Sequence, residues 1–588
     1  MRDNESLTRD ARMLLAIVFL TISVAAITLA RGPVPAGPWK GLYTSFPLFW
    51  VFLAIAVVVL VRTSVLSGVR LVPLVVLAAI FASALVMAPT LKWGVPYGIR
   101  DPWIHLASIK SIHLIGNPYP FLHVLVATAA EITQLPHRWI LSRTQIFAAM
   151  VGVVWVFATV SQINDSSWLL TGLALFPIVY MWGNSRPFSV GPVFIILVWW
   201  VLLRYNLTST KIVGFIVIPA TFWWHPVGAF IAILILCMFI AVHMVVWLFP
   251  QIKTHLVDVD ASRESLYVLT AFGGVLIVFY LLDYTGIFEA TVVTGLFSEG
   301  SASVERSSVI RELPSQLFQA FRMGIFVIVL TTVSVISAIY RLNKRVLSTV
   351  HIVSVLAVVP LAIVFVTIDL LSIPGFGARR LLRLVPLVLL PGVAFAFQDL
   401  ANQSSDRGTK SGDQGNGNLL DQYINWSRIC RTSRLGISPL NRRVLRVGLA
   451  LLVLTSGLAI VHDSPFKGGS ETGSTTSDVR GVNWLQTHKT DNPVIGSENT
   501  LFIVKGLYGE QTVRNWSNND PYYYQTIRRN PRYSWEVEVR EPGTYIVVNK
   551  QAQIRANDST VVNQFNRKTV RIYDNGNVWM HRSIFNQV

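Results

Sequence analysis

Residues 226–249 read PVGAFIAILILCMFIAVHMVVWLF, without one Asp, Glu, Lys or Arg. A run of that length and character matches the roughly 20 apolar residues an α-helix needs to cross a hydrocarbon core. Similar runs recur along the chain. Candidate spans fall at about 13–30, 46–61, 71–89, 142–162, 168–183, 187–203, 211–224, 226–249, 265–284, 323–340, 351–372, 383–398 and 444–462, with ends uncertain by a few residues. Of 588 residues, 52% are hydrophobic and 14% charged, far more apolar surface than a soluble core of this size can hide. The expected fold is a polytopic α-helical membrane protein with about 13 transmembrane helices. The first run, Met13 to Ala30, continues into Arg31-Gly-Pro with no small-residue cleavage site, so it reads as a retained helix rather than a signal peptide.

Topology explains the charge. The formal net charge is +18. Arg2, Arg9 and Arg12 precede the first span and place the N-terminus in the cytoplasm. Threading the spans from there gives basic or mixed cytoplasmic loops at Arg62–Arg70, Lys253–Arg263 and Arg341–Arg345. The linker 399–443 is cytoplasmic too. It opens on the Gly/Ser/Asn/Asp-rich stretch 401–418, expected to be disordered, and ends on Arg428, Arg431, Arg434, Arg442 and Arg443. Positive charge thus gathers on one side of a membrane, not on one folded face, and no nucleic-acid partner is expected. The two cysteines, Cys237 and Cys430, fall in a span and in the linker, and offer neither a disulfide framework nor a thiolate metal site.

The same threading puts the loop 90–141, the loop 285–322, the turn 373–383 and everything beyond about 463 outside the cell. A crossing by 120–135 would invert all later loops, so that stretch reads as an amphipathic or half-inserted helix. The organisation is therefore a multispanning domain at 1–398, the linker 399–443, a last span at 444–462 and an extracytoplasmic α/β domain at 463–588. In the last, 478–488 has helical spacing, while 494–498, 543–549 and 569–582 alternate as strands do. Asn575-Gly576 marks a hairpin turn in the third. No repeat and no two-half symmetry of the transporter kind is visible.

Chemistry is expected first in 98-GIRDPWIHL-106. Asp101 before Pro102 is a helix start, with Asp at the N-cap and Pro at the first helical position. Asp101 and His105 then share a face at i, i+4, with His113 near it, while Ile104, Leu106, Ile109 and Ile112 supply apolar surface. Spacing alone is satisfied by a well-capped interfacial helix whose polar residues face water.

The strings 101-DPWIHL-106 and 116-GNPYPFLH-123 resemble the first external loop of GT-C-type integral-membrane glycosyltransferases. The Asp-Pro-aromatic-x-His-Leu pattern is similar to one in archaeal oligosaccharyltransferase catalytic subunits. The resemblance at residue level covers about 25 positions. Many short spans, an Arg-rich turn near the last core spans and an external C-terminal domain extend it to the architecture. It implies that Asp101 is a catalytic base or a metal-binding carboxylate, supported by His105 and by an acidic residue of the later external loop, Glu299 or Glu305. It also implies that Arg379, Arg380 and Arg383 meet the phosphate of the donor; a guanidinium fork suits that oxyanion, although interfacial snorkelling would place arginines there as well. His225, in 222-FWWHPVG-228, and Arg186, in the turn 183-GNSRP-187, are further candidates; His225 before Pro226 also fits a broken helix end. A divalent cation, Mg or Mn, is compatible with these oxygen ligands, and no other cofactor is expected.

One departure narrows the reaction. The Trp-Trp-Asp acceptor-recognition string of oligosaccharyltransferases is absent; Asn515-Trp516-Ser517 and Asn557-Asp558-Ser559 are sequons, not that string. A single-sugar transferase drawing on a polyprenyl-phosphate-linked donor, inverting and acting at the outer face of the cell membrane on a glycan or glycoprotein acceptor, fits better. Two other classes remain. A lipid-linked glycan flippase or transporter would need ionisable groups deep in the bilayer, whereas Asp283 and Asp369 lie near span ends. A non-catalytic scaffold would use the external domain for binding and Asp101 only as a cap.

Overall fold

The computed structural model describes residues 2–31, parts of 48–59, 75–84, 101–110, 120–163, 192–205, 207–224, 226–256, 274, 327–363, 384–402, 476–488, 494–496, 498–508, 512, 545–549, 569–574 and 578–583. The expected spans 168–183, 265–284 and 444–462, apart from residue 274, lie outside the described residues. So do the loop 285–322, the turn 373–383, both sequons and the linker beyond Asn402.

In chain order the helices used below are α1 (Arg2–Arg31), α2 (Val75–Ala84), α3 (Asp101–Lys110), α4 (Pro120–Thr133), α5 (His137–Val160), α6 (Pro192–Leu203), α7 (Thr208–Trp224), α8 (Pro226–Leu248), α9 (Val327–Asn343), α10 (Thr349–Leu356) and α11 (Leu390–Asn402). Among the described residues, three helices are long and apolar enough to cross a membrane: Arg12–Arg31, His137–Val160 and Gly228–Leu248. α4, at 14 residues, is shorter than the roughly 20 a crossing needs. It buries Leu122, Val126 and Ala130 at i, i+4 spacing and exposes Phe121, Val124 and Ile132.

Proline sets several of the breaks. α8 begins at Pro226 and its end is followed by Pro250, where the ring removes a backbone donor and forbids continuation. The reversal from α4 to α5 passes through Gln134 at φ 57° and then Pro136, whose carbonyl accepts from the amides of Trp139 and Ile140 to start α5. A second left-handed residue, Arg345 at φ 57°, turns the chain from α9 into α10.

α6 reads PVFIILVWWVLL and is apolar all round, the pattern of a helix enclosed by others. It is indeed central: Ile195, Ile196, Val198 and Trp199 are fully buried, and the Trp199 indole donates to the Leu387 carbonyl at 3.0 Å, just ahead of α11. α1 and α8 bury one side only. They present Phe19, Leu20, Ile27, Met244, Val245, Trp247 and Leu248 outward, an apolar surface suited to lipid.

The far end of this bundle is fastened by polar groups. Arg341 on α9 pairs with Asp399 on α11 at 2.8 Å and donates to Gln398. The Ser337 hydroxyl donates to the same carboxylate, and Gln398 reaches the Ile163 carbonyl at 2.8 Å beyond α5. A cavity of about 570 Å³ opens beside them, lined by Gln162, Tyr205, Phe239, Arg341, Thr349 and Gln398 among others.

The C-terminal elements are α12 (Thr476–His488), β1 (Val494–Gly496), α13 (Glu498–Tyr508), β2 (Tyr545–Asn549), β3 (Thr569–Asp574) and β4 (Val578–Ser583). The sheet order is β1-β2-β4-β3. β1 and β2 are parallel, so the chain between them is a crossover, and α13 lies in it. β3 and β4 form the antiparallel hairpin that Asn575-Gly576 predicts, with a register shift between Arg571 and Tyr573. α13 is a helix that alternation and spacing did not indicate, because its run LFIV is equally at home in a strand.

Candidate active site

α3 begins at Asp101, one residue before the start that an N-cap at Asp101 would give. The helix is not a water-facing one. Trp103 is fully buried, Leu106 and Ile109 nearly so, and His105 retains 7% exposure. The reason is that neighbours cover it on more than one side. α4 covers one, where His105 Nδ1 and His123 Nε2 lie 3.0 Å apart with ring centroids at 5.3 Å. Each neutral imidazole carries one N–H and one bare nitrogen, so one ring donates to the other. Burial holds the His123 imidazolium pKa down to about 4, which keeps that ring neutral at neutral pH.

α13 covers another side. A Cβ at Gly506 would stand 2.9 Å from both the indole ring and the main-chain oxygen of Trp103. About two turns farther along α3, the Lys110 ammonium donates to the Leu507 carbonyl at the end of α13. Desolvation, and then repulsion from the Arg138 guanidinium, pull the Lys110 pKa below its ordinary value. The Tyr508 hydroxyl donates to Asn483 at 2.8 Å and so ties α13 to α12.

The last residue of α7 packs against α4 and α6. Trp224 is buried against Phe121 of α4, with centroids 4.9 Å apart, and against Phe194 of α6 at 5.4 Å. The chain next to His225 is therefore packed on the helix that carries His123. His225 itself, the side chain of Asp101, Arg186, Glu299, Glu305, Arg379, Arg380 and Arg383 lie outside what the structure describes. Of the residues singled out by sequence, the structure locates His105 and the backbone of Asp101.

Sequence reasoning missed His123 and Gly506 as partners of α3, and Trp103 and Lys110 as the residues of α3 that meet α13. His123 had a signal, since it closes the string GNPYPFLH; Gly506 had none, because its partner is far away in the chain. Among the described residues no three His, Cys, Asp or Glu side chains converge on a metal-sized site. The donors present are two imidazoles bonded to each other, a poor set for a hard cation that prefers oxygen.

No protein family matches the chain, and no curated protein does. Among solved structures it is similar to ArnT from Cupriavidus metallidurans bound to undecaprenyl phosphate. That match has a TM-score of 0.42 and 12% identity, and covers 87% of this chain and 97% of that one. The apo state of the same protein matches with a TM-score of 0.41 and 11% identity, over 87% and 98%.

Proposed function

We propose that the chain is an inverting membrane glycosyltransferase that moves a sugar from a polyprenyl-phosphate-linked donor to a glycan or protein-linked acceptor at the outer membrane face. The observation that carries this reading is the support of α3. Asp101 opens a helix that buries Trp103, His105, Leu106 and Ile109, is bonded to α4 through His105 and His123, and is approached by α13 at Gly506. A carboxylate at the end of so fixed an element meets the geometric demand on a general base.

In the reaction, the acceptor oxygen attacks the anomeric carbon as the bond from that carbon to the phosphate oxygen breaks. Asp101 takes the acceptor's hydroxyl proton, and the phosphate departs on its lipid with the bonding pair. Arg379, Arg380 and Arg383 would meet the charge developing on that phosphate. Glu299 or Glu305 would orient the acceptor, and a Mg or Mn ion, if the reaction uses one, would take its oxygen ligands from them and Asp101.

The test is Asp101→Asn in a strain lacking the gene. Asn caps a helix nearly as well as Asp, so the protein should accumulate and fold normally. Mass spectrometry of surface glycans should show the sugar increment missing from the deletion strain still missing, a loss of at least about a hundredfold. An unchanged glycan profile would sink the proposal and leave the scaffold reading, in which Asp101 only caps.

A lipid-linked glycan transporter is the second reading. The polar cavity of about 570 Å³ beside Arg341, at the opposite end of α5, is the observation in its favour. Movement of a labelled undecaprenyl-phosphate-linked sugar across liposomes, without transfer to any acceptor, would decide for it.

A further inference from the structure

We infer that α13 is a positioning clamp for the helix that Asp101 opens, so that the C-terminal unit completes the transfer site instead of hanging beside it. The inference rests on the reading of Asp101 given above.

Gly506 is the first observation. Glycine inside a helix is less stable there than alanine would be. Here the missing side chain is what lets two backbones meet, because a Cβ would strike the Trp103 ring and its carbonyl together at 2.9 Å. The ring edge of a side chain can swing aside; the carbonyl oxygen of a helix cannot move without moving α3 itself.

The end of α13 is the second. The last carbonyls of a helix lack intrahelical partners and form the negative end of its dipole. Lys110 donates to one of them, at Leu507. Arg138, from the first turn of α5, lies close enough to add to the burial that lowers the Lys110 pKa and to offset part of the burial that raises the Tyr508 pKa. Two cations from two different elements thus converge where α13 terminates.

The third is what stands on the other flank. His105 and His123 bind α3 to α4, so α3 is gripped between the membrane bundle and the C-terminal unit. Neither grip alone fixes both tilt and register. Trp103, Lys110, Arg138 and Gly506 are positioning residues in this scheme: they touch α3 or α13 and act on the reacting groups through Asp101. Displacing a catalytic group by about 1 Å can cost about a hundredfold in rate.

Gly506→Val tests the clamp in the full-length protein. Backbone amides 101–110 should exchange with deuterium at least about tenfold faster, while those of 139–160 and 569–583 keep their protection. Surface glycan carrying the sugar should fall about ten- to a hundredfold at equal protein level. Lys110→Met removes the second contact without altering α13, and so covers the case in which valine melts that helix. It should lower the same signal about three- to tenfold, with Lys110→Arg restoring it. Unchanged exchange over 101–110 in both variants overturns the docking, and faster exchange with undiminished glycan overturns the positioning. Failure of the Asp101 reading shows separately, as an unchanged glycan profile in Asp101→Asn.

Discussion

His123 makes the packing of α4 on α3 sensitive to acid. His123 is held near pKa 4 by burial, against an ordinary value of 6.5, so its proton is excluded from the folded state. Between those two values the unfolded chain takes up a proton that the folded one refuses, and stability falls as pH drops. Above pH 6.5 this contribution is flat. The total across the window is about 3 kcal/mol. His123→Gln has no proton to refuse, so its thermal midpoint in detergent should fall less than that of the parent between pH 7 and pH 4.5. Parallel curves would show that the pair does not couple to folding. Asp101 was legible because Asp-Pro is a local signal with a local cause. His123 was visible only as part of a string, since nothing in GNPYPFLH says that its histidine faces His105 rather than water.

At the scale of elements, apolar periodicity located α5, α7 and α8 to within a few residues of their expected positions. What periodicity could not give is how helix ends are fastened to each other. Arg341 reads in the sequence as the first residue of a basic loop, yet it is folded back onto Asp399 and over the Phe395 ring at 4.6 Å. Both partners are largely buried, and the Ser337 hydroxyl also serves the carboxylate. Removing one ion of such a pair strands the other. Arg341→Met should cost about 3–5 kcal/mol, and adding Asp399→Leu should recover most of it. Thermal unfolding of both variants in one detergent measures the pair. Equal stability of the single and double variants would show that Asp399 finds water when Arg341 is gone.

For the whole molecule, the contact between α3 and α13 joins the first described loop helix to the C-terminal sheet. Because α13 lies in the crossover between the parallel strands β1 and β2, it cannot lift away without loosening that sheet. The two helices should therefore open as one cooperative unit. Native-state hydrogen exchange in increasing denaturant should give residues 101–110 and 498–508 the same opening free energy. Protection of 101–110 that outlasts 498–508 would separate them. This is the part of the architecture that no window of sequence could reveal, since the Lys110–Leu507 bond spans 397 residues.

That separation also has a duration. A ribosome adding about 5–20 residues per second needs about 20–80 s to make the chain between the two partners. For that interval α3 lacks its contacts with Gly506 and Leu507, while the bond between His105 and His123 can already hold it to α4. A nascent chain stopped anywhere before α13 lacks the contact of Gly506 with Trp103 and the bond from Lys110 to Leu507.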